Sequence, residues 1–267
     1  MIDIQKFYLQ PGEEPLDVIK PDGGFAGIFR TIAVVGDSLS SGEFEATNEQ
    51  GGKSYHDIYD QSWGAYIARA TGAKVHVFAR SGMTAKEYLS CWGYANGAFE
   101  RDKAAQAYIF AMGFNDMFSG IEKGSAADID VNDPSNNKES FTGLYGSIIQ
   151  KYKAIEPRAK FFLLTMPRET MDDSDPREAV RKHHAEILHS LAALFDNTYV
   201  IDLWKYGPMQ DSRYRENFYL GGHLTAGGYL LTAQMVMSYI DYIIRSNPED
   251  FAQVGFIGTP FYNKTRK

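Results

Sequence analysis

The stretch Thr31-Ile-Ala-Val-Val-Gly-Asp-Ser-Leu-Ser40 decides the fold class and supplies the first candidate for chemistry. Its first five residues form a β-branched apolar run that Gly36 ends. A run without polar alternation fits a strand buried on both faces, as in a parallel sheet. Similar runs recur at 74–79, 107–112, 160–166 and 198–203. Helical spacing fills the intervals, over 61–71, 84–91, 140–155, 175–195 and 225–245. Asp175-Pro176 marks the start of the fourth helix and Thr225 is an N-cap for the fifth. Strands alternating with helices predict an α/β protein, a three-layer α/β/α sandwich around a five-stranded parallel sheet. Ligands bind outside the carboxyl ends of such strands, so the segments that follow them deserve the closest reading.

Outside this rhythm lie loops with room for one short strand at 1–30, a polar Gly-rich stretch at 41–60, an insertion at 117–139, and a tail at 246–267. The first two long loops after strands, 41–60 and 117–139, are expected to border a site, because loops of that length are usually functional or disordered. No linker divides the chain, and a single domain over 1–267 is expected. The net charge is −7, with 27 Lys+Arg against 34 Asp+Glu and no basic run, which argues against nucleic acid as a partner. No apolar run is long enough to span a membrane. Cys91 is the one cysteine, so no intrachain disulfide forms. With no apolar leader in residues 1–10, a cytoplasmic protein is expected. Oligomeric state is left open.

Four clusters carry candidate chemistry. Gly36-Asp37-Ser38-Leu39 follows the first strand, where a serine can project into the crevice above the sheet; the same residues also make ordinary turns. Ser81-Gly82 follows the second strand, and Gly82 permits an unusual backbone conformation that aims an N–H at an oxyanion. Gly113-Phe114-Asn115-Asp116 follows the third, where Asn115 offers an amide donor and Asp116 a helix cap. Gly221-Gly222-His223 precedes the last helix and holds a histidine in a glycine-flanked loop. Of the other histidines, His183, His184 and His189 fall in a predicted helix and are expected on a solvated face. His76 is in a strand, and His56 in the first long loop.

Gly36-Asp37-Ser38-Leu39, Gly82, Gly113-x-Asn115-Asp116 and His223 resemble, in order, the blocks of the SGNH (GDSL-type) serine hydrolase family. The resemblance spans about residues 31–245 and implies a flavodoxin-like sheet and ester hydrolysis without metal or other cofactor. It implies Ser38 as nucleophile, His223 as general base, and an oxyanion hole of the Ser38 N–H, the Gly82 N–H and the Asn115 side chain. A hydrogen-bonded imidazole is what turns a serine hydroxyl into a nucleophile.

One position departs from the family. An aspartate three residues before the histidine usually orients the imidazole, and here that residue is Leu220. The candidates for its replacement are a backbone carbonyl such as that of Leu220, which ranks first, then Glu216 or Asp211, with Asp202 a distant fourth. The implied substrate is a small-molecule short-chain ester, with an acylated sugar as the favoured example. Aromatics near the site segments (Trp63, Trp92, Tyr94, Phe114) suit sugar faces, and the acidic insertion disfavours a greasy lid. Lysophospholipase or thioesterase activity, and a non-catalytic binding module, are the rival readings. A metal site at Asp128, Asp130 and Asp133 lacks the glycine and glutamate of a calcium loop.

Overall fold

The computed structural model describes residues 3–263. Among them, five strands form one parallel sheet: Thr31–Gly36 (β1), Lys74–Ala79 (β4), Ala107–Ala111 (β5), Lys160–Leu164 (β6) and Thr198–Ile201 (β7). Their order is β4-β1-β5-β6-β7, every pair parallel. This is the flavodoxin-like order, and the strand sequence reverses between β1 and β5, where such folds hold their ligands. Side chains alternate across β1: Ile32 and Val34 join one core, Ala33 and Val35 the other. Both faces are covered. On the first lie the helices Trp63–Thr71 (α1) and Ala226–Ser246 (α5), and on the second Phe141–Ile155 (α2) and Pro176–Leu194 (α3). The three-layer expectation is met.

The helix starts follow their sequence signals. Asp175 accepts the Arg177 N–H with Pro176 in the first turn, and Thr225 Oγ1 accepts the Gly228 N–H at 3.1 Å. The helix expected over 84–91 is broken instead. Thr84 caps a short turn at Ala85–Glu87, which widens into a five-residue π turn at Tyr88–Trp92. The stretch 41–60 is not simply a loop. Glu43–Thr47 (β2) and Lys53–Asp57 (β3) pair as an antiparallel hairpin.

The N-terminal extension contains 3₁₀ turns at Ile4–Phe7 and Gly24–Ile28 and no strand among the described residues. It lies along α5. Arg245 reaches Glu13 at 2.5 Å and Asp241 at 2.8 Å, with all three side chains buried. The Asp241 carboxylate also accepts the Phe25 N–H. In the tail, Phe251 packs against Phe162 and Tyr199, so it belongs to the core; residues 264–267 lie outside the described ones. No helix among the described residues is long and apolar enough to cross a membrane.

Removing one member of a buried ion network leaves its partners as uncompensated charges. Arg245→Ala is expected to lower unfolding free energy by about 3–5 kcal/mol in urea titration and to make the 3–30 segment cleavable by protease under native conditions.

Candidate active site

The elements that follow β1, β4 and β5 meet above the sheet. After β1, Asp37 Oδ1 accepts the Leu39 N–H at 3.1 Å and starts a helical turn at Ser38–Ser41, which leaves Ser38 half-exposed at its first position. After β4, Gly82 has φ +69° with open space where a side chain would stand, so its backbone is bare toward the cleft. After β5, Asn115 donates its amide to the Met83 carbonyl at 3.0 Å, and Asp116 accepts the Ala85 N–H at 3.1 Å. These two bonds tie the third segment to the second. Asp116 thus has a structural role, but it supports the start of the earlier turn at Ala85–Glu87 rather than capping the helix that follows it.

Ser38, Gly82, Asn115 and His223 all line one cleft of about 460 Å³. His223 stands on a two-residue strand, His223–Leu224 (β9), paired with Tyr219–Leu220 (β8). The β2–β3 hairpin grips this loop from the side. Glu43 and Glu45, two residues apart, share one face of β2. Glu45 accepts the Gly222 N–H at 2.8 Å, and Gly221, at φ +67°, has no room for a side chain against the Glu45 carboxyl group. Glu43 Oε2 lies 2.7 Å from His223 Nε2 and also accepts the Ser81 hydroxyl at 3.0 Å. The Tyr55 ring, from β3, meets the imidazole edge-on. Among the described residues, His223 Nδ1 is buried without a hydrogen bond, and none is made by Ser38 Oγ.

The substitutes weighed for the missing aspartate are therefore not the ones His223 meets. Asp211 caps the helix Ser212–Phe218 (α4) by accepting the Tyr214 N–H at 2.8 Å. Glu216 is exposed on that helix. The Leu220 carbonyl serves neither ring nitrogen, because Leu220 is only the ladder partner of His223. Asp202 is held by His189 at 2.8 Å. Glu43 sits in a segment whose composition is that of a polar loop. Its signal, Glu43-x-Glu45 in strand alternation, says nothing about which loop it faces.

Two other expectations change. His184 is not solvated but fully buried; its Nε2–H points to the Met112 carbonyl at 3.1 Å and its Nδ1 accepts the Met166 N–H. Burial pushes its imidazole down to about 4, so it is neutral and braces the turn behind Asn115. The 117–139 segment contributes no lining residue to the cleft. Its Asp128, Asp130 and Asp133 instead accept hydrogen bonds within the loop, and no cluster fit for a metal occurs among the described residues. Of the aromatics near the site segments, Phe114 lines the cleft, joined by Tyr55 and Tyr219. Trp63 is in the core and lines a small cavity under the cleft, while Trp92 and Tyr94 lie elsewhere.

Beneath the cleft, and sharing Asp37, Leu39, Phe114, Glu169 and Tyr219 with it, is a cavity of about 100 Å³. Leu164, Met166, Leu203 and Leu224 make much of its wall apolar.

The GDSL-like lipase/acylhydrolase family model matches residues 34–231, most of the chain. The chain belongs to this family. It is accordingly a hydrolase of ester bonds. No curated protein matches it in sequence. Among solved structures, a family two carbohydrate esterase from Clostridium thermocellum in complex with cellohexaose is similar at 17% identity and TM-score 0.56, over 88% of this chain and 67% of the other. A Corynascus thermopiles (Myceliophthora fergusii) carbohydrate esterase family 2 enzyme with a carbohydrate binding domain matches at 19% and 0.55, over 80% and 66%. The psychrotrophic esterase EstA from Pseudoalteromonas sp., inhibited by monoethylphosphonate, matches at 13% and 0.52, over 80% and 98%. These likenesses establish the shared GDSL fold.

Burial pushes the Asp37 carboxyl up to about 7 and that of Asp116 to about 6. Unfolded, both groups release their protons in the ordinary carboxylate range; folded, they keep them longer. Between those limits the native state holds the extra protons, so this contribution to stability falls as pH rises and is fully lost above pH 7. Asp37→Asn keeps an acceptor for Leu39 and cannot ionise. It is expected to exceed wild type in urea stability at pH 8 by up to about 4 kcal/mol, with the gain falling to about 1 kcal/mol at pH 4.5; an equal gain at both would refute the ionisation account.

Proposed function

We propose that the protein hydrolyses a short-chain carboxylic ester, with an acetylated carbohydrate as the favoured substrate, through Ser38 and His223. The observation that carries this reading is the convergence of Ser38, Gly82, Asn115 and the Glu43–His223 pair on one cleft. Ser38 Oγ attacks the ester carbonyl while His223 takes its proton. The carbonyl oxygen becomes an oxyanion faced by the Ser38 and Gly82 N–H groups and the second N–H of Asn115, whose first is fixed on Met83. The alcohol leaves with the proton from His223, and a water then cleaves the acyl-enzyme by the same route.

Glu43 is the positioning carboxylate in this mechanism. With Nε2–H directed at Glu43, Nδ1 is left with its lone pair free to act as the base. The contact between Nδ1 and Ser38 closes in the substrate complex, as catalytic hydrogen bonds in ligand-free enzymes often do. Glu43 also stabilises the imidazolium that forms, and Ser81 holds Glu43 from its other side. The size of the cavity favours a short acyl chain. Benzene occupies an apolar cavity of about 150 Å³, so about 100 Å³ admits a few carbons. A long lipid chain does not fit there.

Labelling with a fluorophosphonate and hydrolysis of p-nitrophenyl acetate test the reading. Wild type is expected to label and Ser38→Ala not to; labelling that survives in Ser38→Ala overturns the nucleophile. Asn115→Ala is expected to lose about 10²–10³ in kcat. Glu43→Gln is expected to lower kcat by at least ~10² and to alter its pH profile, with KM little changed. Full activity in Glu43→Gln would return the orienting role to a backbone carbonyl.

A further inference from the structure

Besides the catalytic groups, the cleft wall carries Arg177, from the first turn of α3, and Arg215, from α4. A third arginine, Arg181, lies one turn beyond Arg177, buried in the wall of the cavity below. One carboxylate, Glu169, serves this group. It lies 2.5 Å from Arg181 and 3.6 Å from Arg215. Arg177 makes no ion pair or side-chain hydrogen bond among the described residues. Elsewhere Arg80, Arg158, Arg168 and Arg245 are each matched by a nearby carboxylate.

Aromatic rings also lie against these guanidinium groups. Phe118 lies 5.3 Å under Arg177 and 5.5 Å under Arg181, and Tyr219 lies 4.3 Å under Arg215. A cation over a ring face is attracted by it while its N–H edge stays free, and that is the edge that pairs with a carboxylate or phosphate. Three fixed cations against one carboxylate leave a local excess of positive charge on a chain whose net charge is −7. Glu43 also faces the cleft with its charge intact, since neutral His223 and Ser81 bind it without cancelling it, and Asp37 is buried beneath the serine turn; the excess lies on the Arg177 and Arg215 side.

We infer that the ester this cleft accepts carries an oxyanion, a carboxylate or phosphate, on the part that stays outside the acyl cavity, and that Arg177 and Arg215 bind it. The inference rests on the esterase reading for its placement of the acyl group and adds the charge of the alcohol. An acidic sugar ester would satisfy both.

The test has a binding arm independent of turnover. Calorimetry compares 4-hydroxybenzoate, 4-hydroxyphenyl phosphate and the neutral methyl 4-hydroxybenzoate. At least one anion is expected to bind ~10-fold or more tightly than the methyl ester, and which one does so separates a carboxylate site from a phosphate site. The preference is expected to shrink in 0.5 M NaCl and in Arg177→Gln and Arg215→Gln, both exposed enough to leave folding intact. In the kinetic arm, the ratio of kcat/KM for 4-acetoxybenzoate, or for 4-acetoxyphenyl phosphate, to that for methyl 4-acetoxybenzoate falls in the same variants. Equal affinities for all three probes, or a preference unchanged in both variants, overturns the inference while leaving the esterase reading intact. Anion binding without any hydrolysis or fluorophosphonate labelling would overturn the esterase reading and retain the anion site.

Discussion

Two carboxylates on one face of β2 hold the histidine-bearing loop against the end of the parallel sheet. Glu45 fixes the loop backbone through the Gly222 N–H, and Glu43 meets the imidazole of His223. Without that grip, the two-residue ladder with β8 and the buried Leu224 side chain would hold the strand carrying His223, and so short a ladder is marginal alone. The hairpin therefore converts a glycine-rich loop into a fixed support. It also brings Ser81 into contact with Glu43, so the loops after β1 and β4 and the segment before α5 share one hydrogen-bonded junction.

A second layer of support lies under the cleft. Asn115 and Asp116 bind the turn at 83–85, while neutral His184 braces the Met112 carbonyl from α3. Each of these groups is buried or half-buried and each is paired, which is what keeps polar groups affordable at the end of an apolar sheet. The Asn115 side chain thus spends one donor on structure and retains another for the cleft. On the arginine side an aromatic face lies against Arg177, and Arg215 has both the Tyr219 ring and the shared carboxylate of Glu169.

The family relation and the proposed chemistry agree on the serine turn, but the carboxylate comes from an unusual direction. In the proposed mechanism Glu43 follows the nucleophile by five positions, whereas the family's aspartate precedes the histidine. A hairpin inserted after β1 can deliver an acid to the same imidazole from the opposite side of the cleft. That geometry presents Nε2 to the acid and leaves Nδ1 for the hydroxyl, with the acid still able to stabilise the charged ring.

The sequence by itself determined the layered architecture, because buried parallel strands and amphipathic helices write their burial into local periodicity. It also located the segments bearing Ser38, Gly82, Asn115 and His223, since each follows a strand end or precedes a capped helix. What only the tertiary structure decided was pairing across long separations. Glu43 with His223, Glu45 with Gly222, and Arg181 with Glu169 depend on how loops fold over the sheet edge. Side-chain period reveals which face a residue takes but not which loop that face will meet. The same limit hid the burial of His184 within a helix of mostly polar pattern, and let Asp211, Glu216 and Leu220 stand as partners for a histidine that an acid near residue 38 had already reached.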